Sequence, residues 1–342
     1  MKARRFRNFL LALVGVLVVA LGLWIFTATT AVPRLSYTVT DLGTLGGNES
    51  KAYGINYAGQ VVGTAKTSSG DFHAFSWERG GIKNLGILNG YSNSKAGDIN
   101  NAGQVVGYAY NQLGTSGHAF LWNNGTMYDL GILGGAYSEA LDINNRGQVV
   151  GVSNISGSSF PYRAFLWKNG KMRNLAISGV GGSGCPRSAV DFSSASGIND
   201  IGQIVGQSGQ CAFLWEKATT KYLGEFSASD INHKGQAVGG SNAFLWTNDT
   251  RKELGTLKSN ISYAYGLNNR GQVVGGTYRA PGLRGPYHAF IWVNGIITDL
   301  NSLIPANSGW ELIEAQDINN KGQIVGYGKH NGQTRAFLLT PT

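Results

Sequence analysis

One nine-residue word, I-N-x-x-G-Q-x-V-G, recurs seven times, starting at Ile55, Ile99, Ile143, Ile198, Ile231, Leu267 and Ile318. A self-similar chain of this kind folds as an array in which each unit buries its apolar face against the next. Two further words keep the same beat. An x-A-F-x-W word starts at His73, His118, Arg163, Cys211, Asn242 and His288, and a copy at Arg335 ends in Leu339. An x-L-G or x-L word starts at Asp41, Asn84, Asp129, Asn174, Tyr222, Glu253 and Asp299. An alanine stands three residues before each I-N pair: Ala52, Ala96, Ala140, Ala195, Ala228, Ala264 and Ala315.

Each unit reads as four short strands, a to d. In the third unit they cover residues 139–144, 148–153, 162–168 and 171–175. Such segments are rich in Val, Ile, Phe and Trp and are punctuated by Gly and Asn. Residues 37–342 give about 44 per unit, the size of a propeller blade. The order of the words selects a closed ring. The x-L-G word opens the domain at 37–42, and the last unit stops at its strand c, 335–339, with no strand d of its own. In a ring, the first strand completes the last blade, whereas an open solenoid would carry atypical caps at both ends. The expected fold class is therefore all-β: a seven-bladed β-propeller of four-stranded blades over 37–342, preceded by an N-terminal apolar helix within 1–36. Another closed or stacked all-β array is the alternative.

The first 36 residues have the layout of an export signal. Lys2, Arg4, Arg5 and Arg7 precede an uncharged apolar stretch over 9–26, followed by small residues and a weak cleavage site after Ala31. The stretch suits either a cleaved signal peptide or a signal anchor spanning the bilayer. In both cases the remainder is secreted, periplasmic or held outside the membrane by this segment alone. With those four basic residues set aside, 24 basic face 19 acidic residues, a scattered net charge of +5. A nucleic-acid partner would require a clustered basic stripe, so none is expected. Cys185 and Cys211 are the only cysteines. In an oxidising compartment they are a disulfide candidate, with two free thiols as the alternative.

The I-N-x-x-G-Q word reads as a hairpin corner: Asn folds onto nearby backbone, and Gly takes positive φ. A calcium loop at Asp98 fails, because Ala102 and Ala109 stand where oxygen ligands belong. The leading Asp occurs in four units only, at Asp98, Asp142, Asp230 and Asp317. The A-F-x-W word is expected to pack blade against blade. Its His is present in three units, so the fold does not require it, and no metal site is expected from it.

These words, His-Ala-Phe with I-N-x-x-G-Q-V-V-G and D-L-G-x-L-G-G, resemble those of the HAF-repeat family of bacterial extracellular proteins across the exported region. The resemblance implies an extracellular repeat protein and carries no established activity. The chain departs from the pattern where the His is replaced, and at Ala176 and Asn301 in place of Gly.

In an up-and-down blade the a–b and c–d turns share one face and the b–c and d–a connections the other. The first face has tight Asn-Gly corners. The second varies, with long segments at 176–194, 276–287 and 301–309, and binding resides on such loops. The candidate binding residues are Tyr108, Tyr110, Tyr162, Tyr278, Arg284, Tyr287 and Trp310, since aromatics and Arg dominate contact energetics. No catalytic residue, metal or cofactor is nominated: there is no G-x-S-x-G, H-E-x-x-H or phosphate loop. His233 is read in a tight turn, His330 in a loop, and Glu311 and Glu314 as solvated edge charges. The expected function is an exported, non-catalytic module binding an extracytoplasmic protein or polysaccharide. A hydrolase- or lyase-type propeller enzyme and a structural envelope protein are the alternatives.

Overall fold

The computed structural model describes residues 35–157, 162–177, 192–257, 261–278 and 287–342. Seven four-stranded antiparallel sheets follow one another along the chain. Six are simple meanders in the order a-b-c-d. Blade 3 is typical, with Ser138–Ile143, Val149–Asn154, Tyr162–Lys168 and Lys171–Asn174, within a residue of the boundaries expected at each end. The apolar N-terminal helix expected from the sequence falls on residues outside the described ones. Among the described residues, no helix is long and apolar enough to cross a membrane.

Blade 7 closes the ring. Trp310–Ile318, Ile324–His330 and Gln333–Pro341 supply strands a to c, and Tyr37–Asp41 lies on the far edge as strand d. The register sets Tyr37 opposite Pro341, Val39 opposite Leu339 and Asp41 opposite Phe337.

The repeated words now acquire physical roles. The phenylalanines of the seven A-F words are all completely buried. They sit in clusters that mix neighbouring blades: Val106, Ala119 and Leu130 of blade 2 pack with Ala140, Ile143 and Phe165 of blade 3. Polar groups also cross the seam. Ser138, fully buried, accepts from the Ala119 N–H at 2.9 Å and donates to Gly131 O at 2.6 Å. Outside, cations cover the tryptophans of the next blade, with Lys83 over Trp122 and Lys252 over Trp292. The Gly that ends each I-N word marks the closest approach of strands a and b. A Cβ on Gly151 would stand 2.0 Å from Glu139 O.

The Asn of each word does more than make a corner. Asn144 Oδ1 accepts from Arg146 N at 3.1 Å, as an Asx-turn requires, and from Gln148 N at 3.0 Å. Its Nδ2 reaches Asn199 O in the next blade at 3.0 Å. The same reach repeats from Asn56 to Asn100, Asn100 to Asn144, Asn199 to Asn232, Asn232 to Asn268 and Asn268 to Asn319. Asn319 then donates to Asn56 O at 3.0 Å. The ladder, from side-chain amide to backbone carbonyl, is circular and complements the strand closure.

Candidate functional site

The inner strands, a, leave a central channel. Its middle layer comprises Tyr53, Gly97, Leu141, Ser196, Ser229, Tyr265 and Gln316, one residue from each blade, which line the cavities at both of its ends. Toward the turn face lies a cavity of about 260 Å³ between the Asn corners. Toward the loop face lies one of about 290 Å³.

The four Asp residues that precede the I-N words face the channel interior. Each links its blade to the next through a backbone N–H: Asp98 to Ile143 at 3.2 Å, Asp142 to Ile198 at 2.6 Å, Asp230 to Leu267 at 2.9 Å and Asp317 to Ile55 at 2.9 Å. The other three blades carry Gly54, Gly197 and Gly266 here, each just before an Asp blade. A Cβ on Gly54 would lie 2.8 Å from Asp98 Oδ1, and one on Gly266 would lie 3.0 Å from Asp317 Cα. The Gly makes room for the neighbouring carboxyl. Only Asp98 and Asp142 occupy successive blades, and there the two carboxyls are hydrogen-bonded to each other. Burial raises all four pKa values, with Asp317 at about 6. The neighbouring Asp142 charge pushes Asp98 further.

The loop face carries two groups of aromatic rings. In the first, Tyr108 stacks on Tyr110 at 5.0 Å and meets Tyr137 edge-on at 5.9 Å. Tyr137 meets Tyr162 at 6.0 Å, and Tyr162 meets Phe192 at 6.4 Å. This arc crosses blades 2 to 4 and borders a cavity of about 530 Å³. The Tyr137 hydroxyl donates to Glu139 Oε2 at 2.7 Å. In the second group, on blade 6, Tyr263 packs on Tyr265 and Tyr278, and Tyr278 on Tyr287 at 4.7 Å. Tyr265 and Tyr278 share a hydroxyl hydrogen bond of 2.7 Å, and Tyr278 donates to Glu314. Burial raises the phenol pKa of Tyr53, Tyr108, Tyr137, Tyr265 and Tyr278, and nearby Glu139 or Glu314 adds to it. All five therefore stay protonated: Tyr137, Tyr265 and Tyr278 give their protons to Glu139, Tyr278 and Glu314, and the hydroxyls of Tyr53 and Tyr108 bond to no described residue.

The nominated residues sort accordingly. Tyr108, Tyr110 and Tyr162 come together in the first group, and Tyr278 and Tyr287 in the second. Trp310 stands apart. It opens strand a of blade 7, half-buried, stacked on His330 at 4.6 Å and edge-on to Phe337. Arg284 and Cys185 lie outside the described residues. Cys211 is buried and disulfide-bonded. Two sequence readings are corrected. Glu314 is not a solvated edge charge, because it accepts from Tyr278 and from Gln316 at 2.7 Å. His330 ends a strand and bonds Asp41 at 2.9 Å, rather than lying in a loop.

The motif histidines also gain partners. His118 Nδ1 meets Asp129 Oδ2 at 2.7 Å, and His288 meets Asp299. His73 meets Asn84 at 3.2 Å. Asp129 Oδ1 meanwhile accepts from Gly131 N at 2.7 Å, fixing the turn of the D-L-G word. His thus braces strand c against the start of the d–a connection. The pair is half-exposed, so His118→Ala is expected to lower stability by no more than about 1 kcal/mol, read as a small shift in the urea midpoint. The departures from Gly fit the same corner. Ala176 takes its positive φ of 52° with its N–H on Asn174. Asn301 instead enters a short 3-10 turn, Leu300–Leu303, capped by Asp299.

Tyr137, Phe192, Tyr53, Tyr263, Tyr265, Glu139 and Glu314 were not nominated from the sequence. The signal that could have found Tyr53 and Tyr265 is the variable position two residues before each I-N pair, which faces the channel.

Among curated proteins, none matches the chain in sequence. Among solved structures, it is similar to a gluconolactonase from Xanthomonas campestris, at 8% identity and TM-score 0.42 over 90% of each chain. It is also similar to the β-propeller domain of the Trilobed protease from Pyrococcus furiosus, at 10% identity and TM-score 0.49 over 89% of this chain and 95% of that one. The acylaminoacyl peptidase of Pyrococcus horikoshii matches at 12% identity and TM-score 0.45, over 85% of this chain and 52% of that one. The model of a family described as "Protein of unknown function (DUF3466)" matches residues 135–330, more than half of the chain, and the chain belongs to that family.

Proposed function

We propose that the chain is an exported, non-catalytic propeller that binds polysaccharide through the face bearing the b–c and d–a connections. The observation that carries this reading is the arc of tyrosines set beside Glu139, with the blade 6 tyrosines set beside Glu314. Flat aromatic faces cover the apolar side of a sugar ring, and phenols held in the donor state, together with carboxylates, exchange hydrogen bonds with its hydroxyls. The arc spans three blades, which suits several consecutive sugar residues. Tyr287 and Trp310 extend the contact surface, and Arg284, which falls outside the described residues, is the charged contact the sequence adds to them. Export is supported by the basic-then-apolar leader and by the likeness of the repeat words to HAF-repeat proteins. The leader is either removed or retained as an anchor. A Cys185–Cys211 disulfide fits the same compartment.

The test is retention of the full-length protein in detergent on cellulose, chitin, xylan and alginate. Saturable retention on at least one is expected. The Tyr137→Ala, Tyr162→Ala pair is expected to weaken it at least tenfold, about 1.4 kcal/mol, with circular dichroism unchanged. Equal retention by variant and wild type would overturn the arc as the binding surface. Turnover of a soluble oligosaccharide, abolished by Glu139→Gln, would make the protein an enzyme instead.

A further inference from the structure

We propose that the loop-face mouth of the central channel is a subsite for one neutral sugar residue, the end or a branch of the polysaccharide; this rests on the binding role argued above. The cavity there, of about 290 Å³, is lined by Tyr53, Lys95, Tyr108, Glu139, Ser196 and Ser229, among others. That is about the space of ten waters at ~30 Å³ each. It admits a single hexose-sized ring and excludes a length of chain. The space exists because the channel layer carries Gly97, Ser196 and Ser229 where Tyr53, Leu141, Tyr265 and Gln316 fill the other blades.

Its bonding capacity is unspent. The Lys95 ammonium lies 4.3 Å from the centre of the Tyr53 ring, and no described carboxylate is within ion-pair distance of it. Glu139 has one oxygen on Tyr137, which leaves the other for a ligand. The Ser196 and Ser229 hydroxyls bond to no described residue. The mouth therefore offers an ammonium, a carboxylate oxygen and two hydroxyls around tyrosine rings. Vicinal sugar hydroxyls answer that set, because each accepts from the ammonium or the phenols while donating to the carboxylate. An anionic sugar would face Glu139. A cationic one would face Lys95.

The full-length protein in detergent is titrated by calorimetry with glucose, galactose, mannose and N-acetylglucosamine, and with glucuronate, glucosamine and glycine as charged probes. A neutral sugar is expected to bind in the millimolar range. Ser229→Leu, which fills the mouth, is expected to abolish this, and Lys95→Met to weaken it at least tenfold. Ile296→Thr, an exposed change on the c–d turn side, is expected to leave it unchanged. If Ser229→Leu does not fold, Ser196→Val with Lys95→Met reads the same outcome. Polysaccharide retention should weaken in Ser229→Leu but persist through the tyrosine arc. Retention unchanged in Ser229→Leu, with no neutral sugar bound by the wild type, overturns the subsite and leaves the surface reading standing. Absence of retention in the wild type overturns that reading itself. Tighter binding of glucuronate, glucosamine or glycine than of any neutral sugar overturns the neutral-sugar assignment.

Discussion

Deleting residues 37–42 is expected to destabilise the propeller by roughly 5 kcal/mol or more. Two side chains leave the core with that strand: Tyr37, 2% exposed in the cluster shared by blades 6 and 7, and Leu42, 2% exposed in the cluster shared by blades 7 and 1. Large-to-small changes at such sites cost about 2–5 kcal/mol each. The ladder from Tyr37–Pro341 to Asp41–Phe337 goes too, together with the Leu42 N–H bond to Ala336 O at 3.1 Å. What remains is a three-stranded blade with an open edge, which also invites pairing between molecules. A domain with about 5–15 kcal/mol in hand would then unfold at far lower urea, in more than one step. The control is a permutant in which residues 37–44 follow Thr342 through a short linker and the chain starts again at Leu45. Because Tyr37 already faces Pro341, the linker makes an ordinary c–d hairpin. Tryptophan fluorescence in urea should then recover the wild-type midpoint. A deletion as stable as the wild type, or a permutant as weak as the deletion, would show that closure by this strand does not hold the ring.

That closure was legible before any coordinates, because it is written in word order: a strand-d word with no unit before it and a last unit with no strand d. The blades were legible for a similar reason, since Gly and Asn mark each turn and the partners within a sheet are close in sequence. Contacts between blades were not. Asn144 meets Asn199 O across 55 residues, and nothing in the pattern says that the corner Asn has a spare amide aimed outward from its own turn. The choice of Asp or Gly before the I-N pair looked like loss of a motif. It is a steric complement between neighbours, visible only once Gly54 is seen against Asp98. The aromatic groups of the loop face were half legible. Attention to variable loops found Tyr108, Tyr162 and Tyr278 but passed over the variable channel position within the repeat, where Tyr53 and Tyr265 stand. Trp310 was named for its place beside a long loop, and its packing on His330 and Phe337 was not legible, because that contact depends on strand register.

The Asp complement leads to the second large effect, a stability that rises as the solution is acidified. The folded-state pKa of Asp317 is about 6 against an ordinary 3.8, and those of Asp98, Asp142 and Asp230 are also raised by burial. A carboxyl with a raised folded pKa binds more protons in the folded than in the unfolded chain between the two values. Its stabilisation is therefore fully present below about pH 3.8 and is lost as pH rises through the folded pKa. For Asp317 alone that span is worth about 3 kcal/mol. Asp98 and Asp142 isolate the effect, because no Gly separates them and one proton must serve both. Asp98→Asn copies the protonated form: its oxygen still accepts from Ile143 N–H, and its amide donates to Asp142. The variant is expected to be more stable than the wild type at pH 7, and the difference is expected to close as the pH falls toward 4, where the wild type supplies its own proton. Urea midpoints of the two proteins between pH 4 and 8 measure the difference directly, and common surface carboxylates cancel. A variant that is less stable at neutral pH, or whose difference from the wild type does not change with pH, would mean that both carboxyls are ionised in the folded ring and that the channel is wetter than its packing implies.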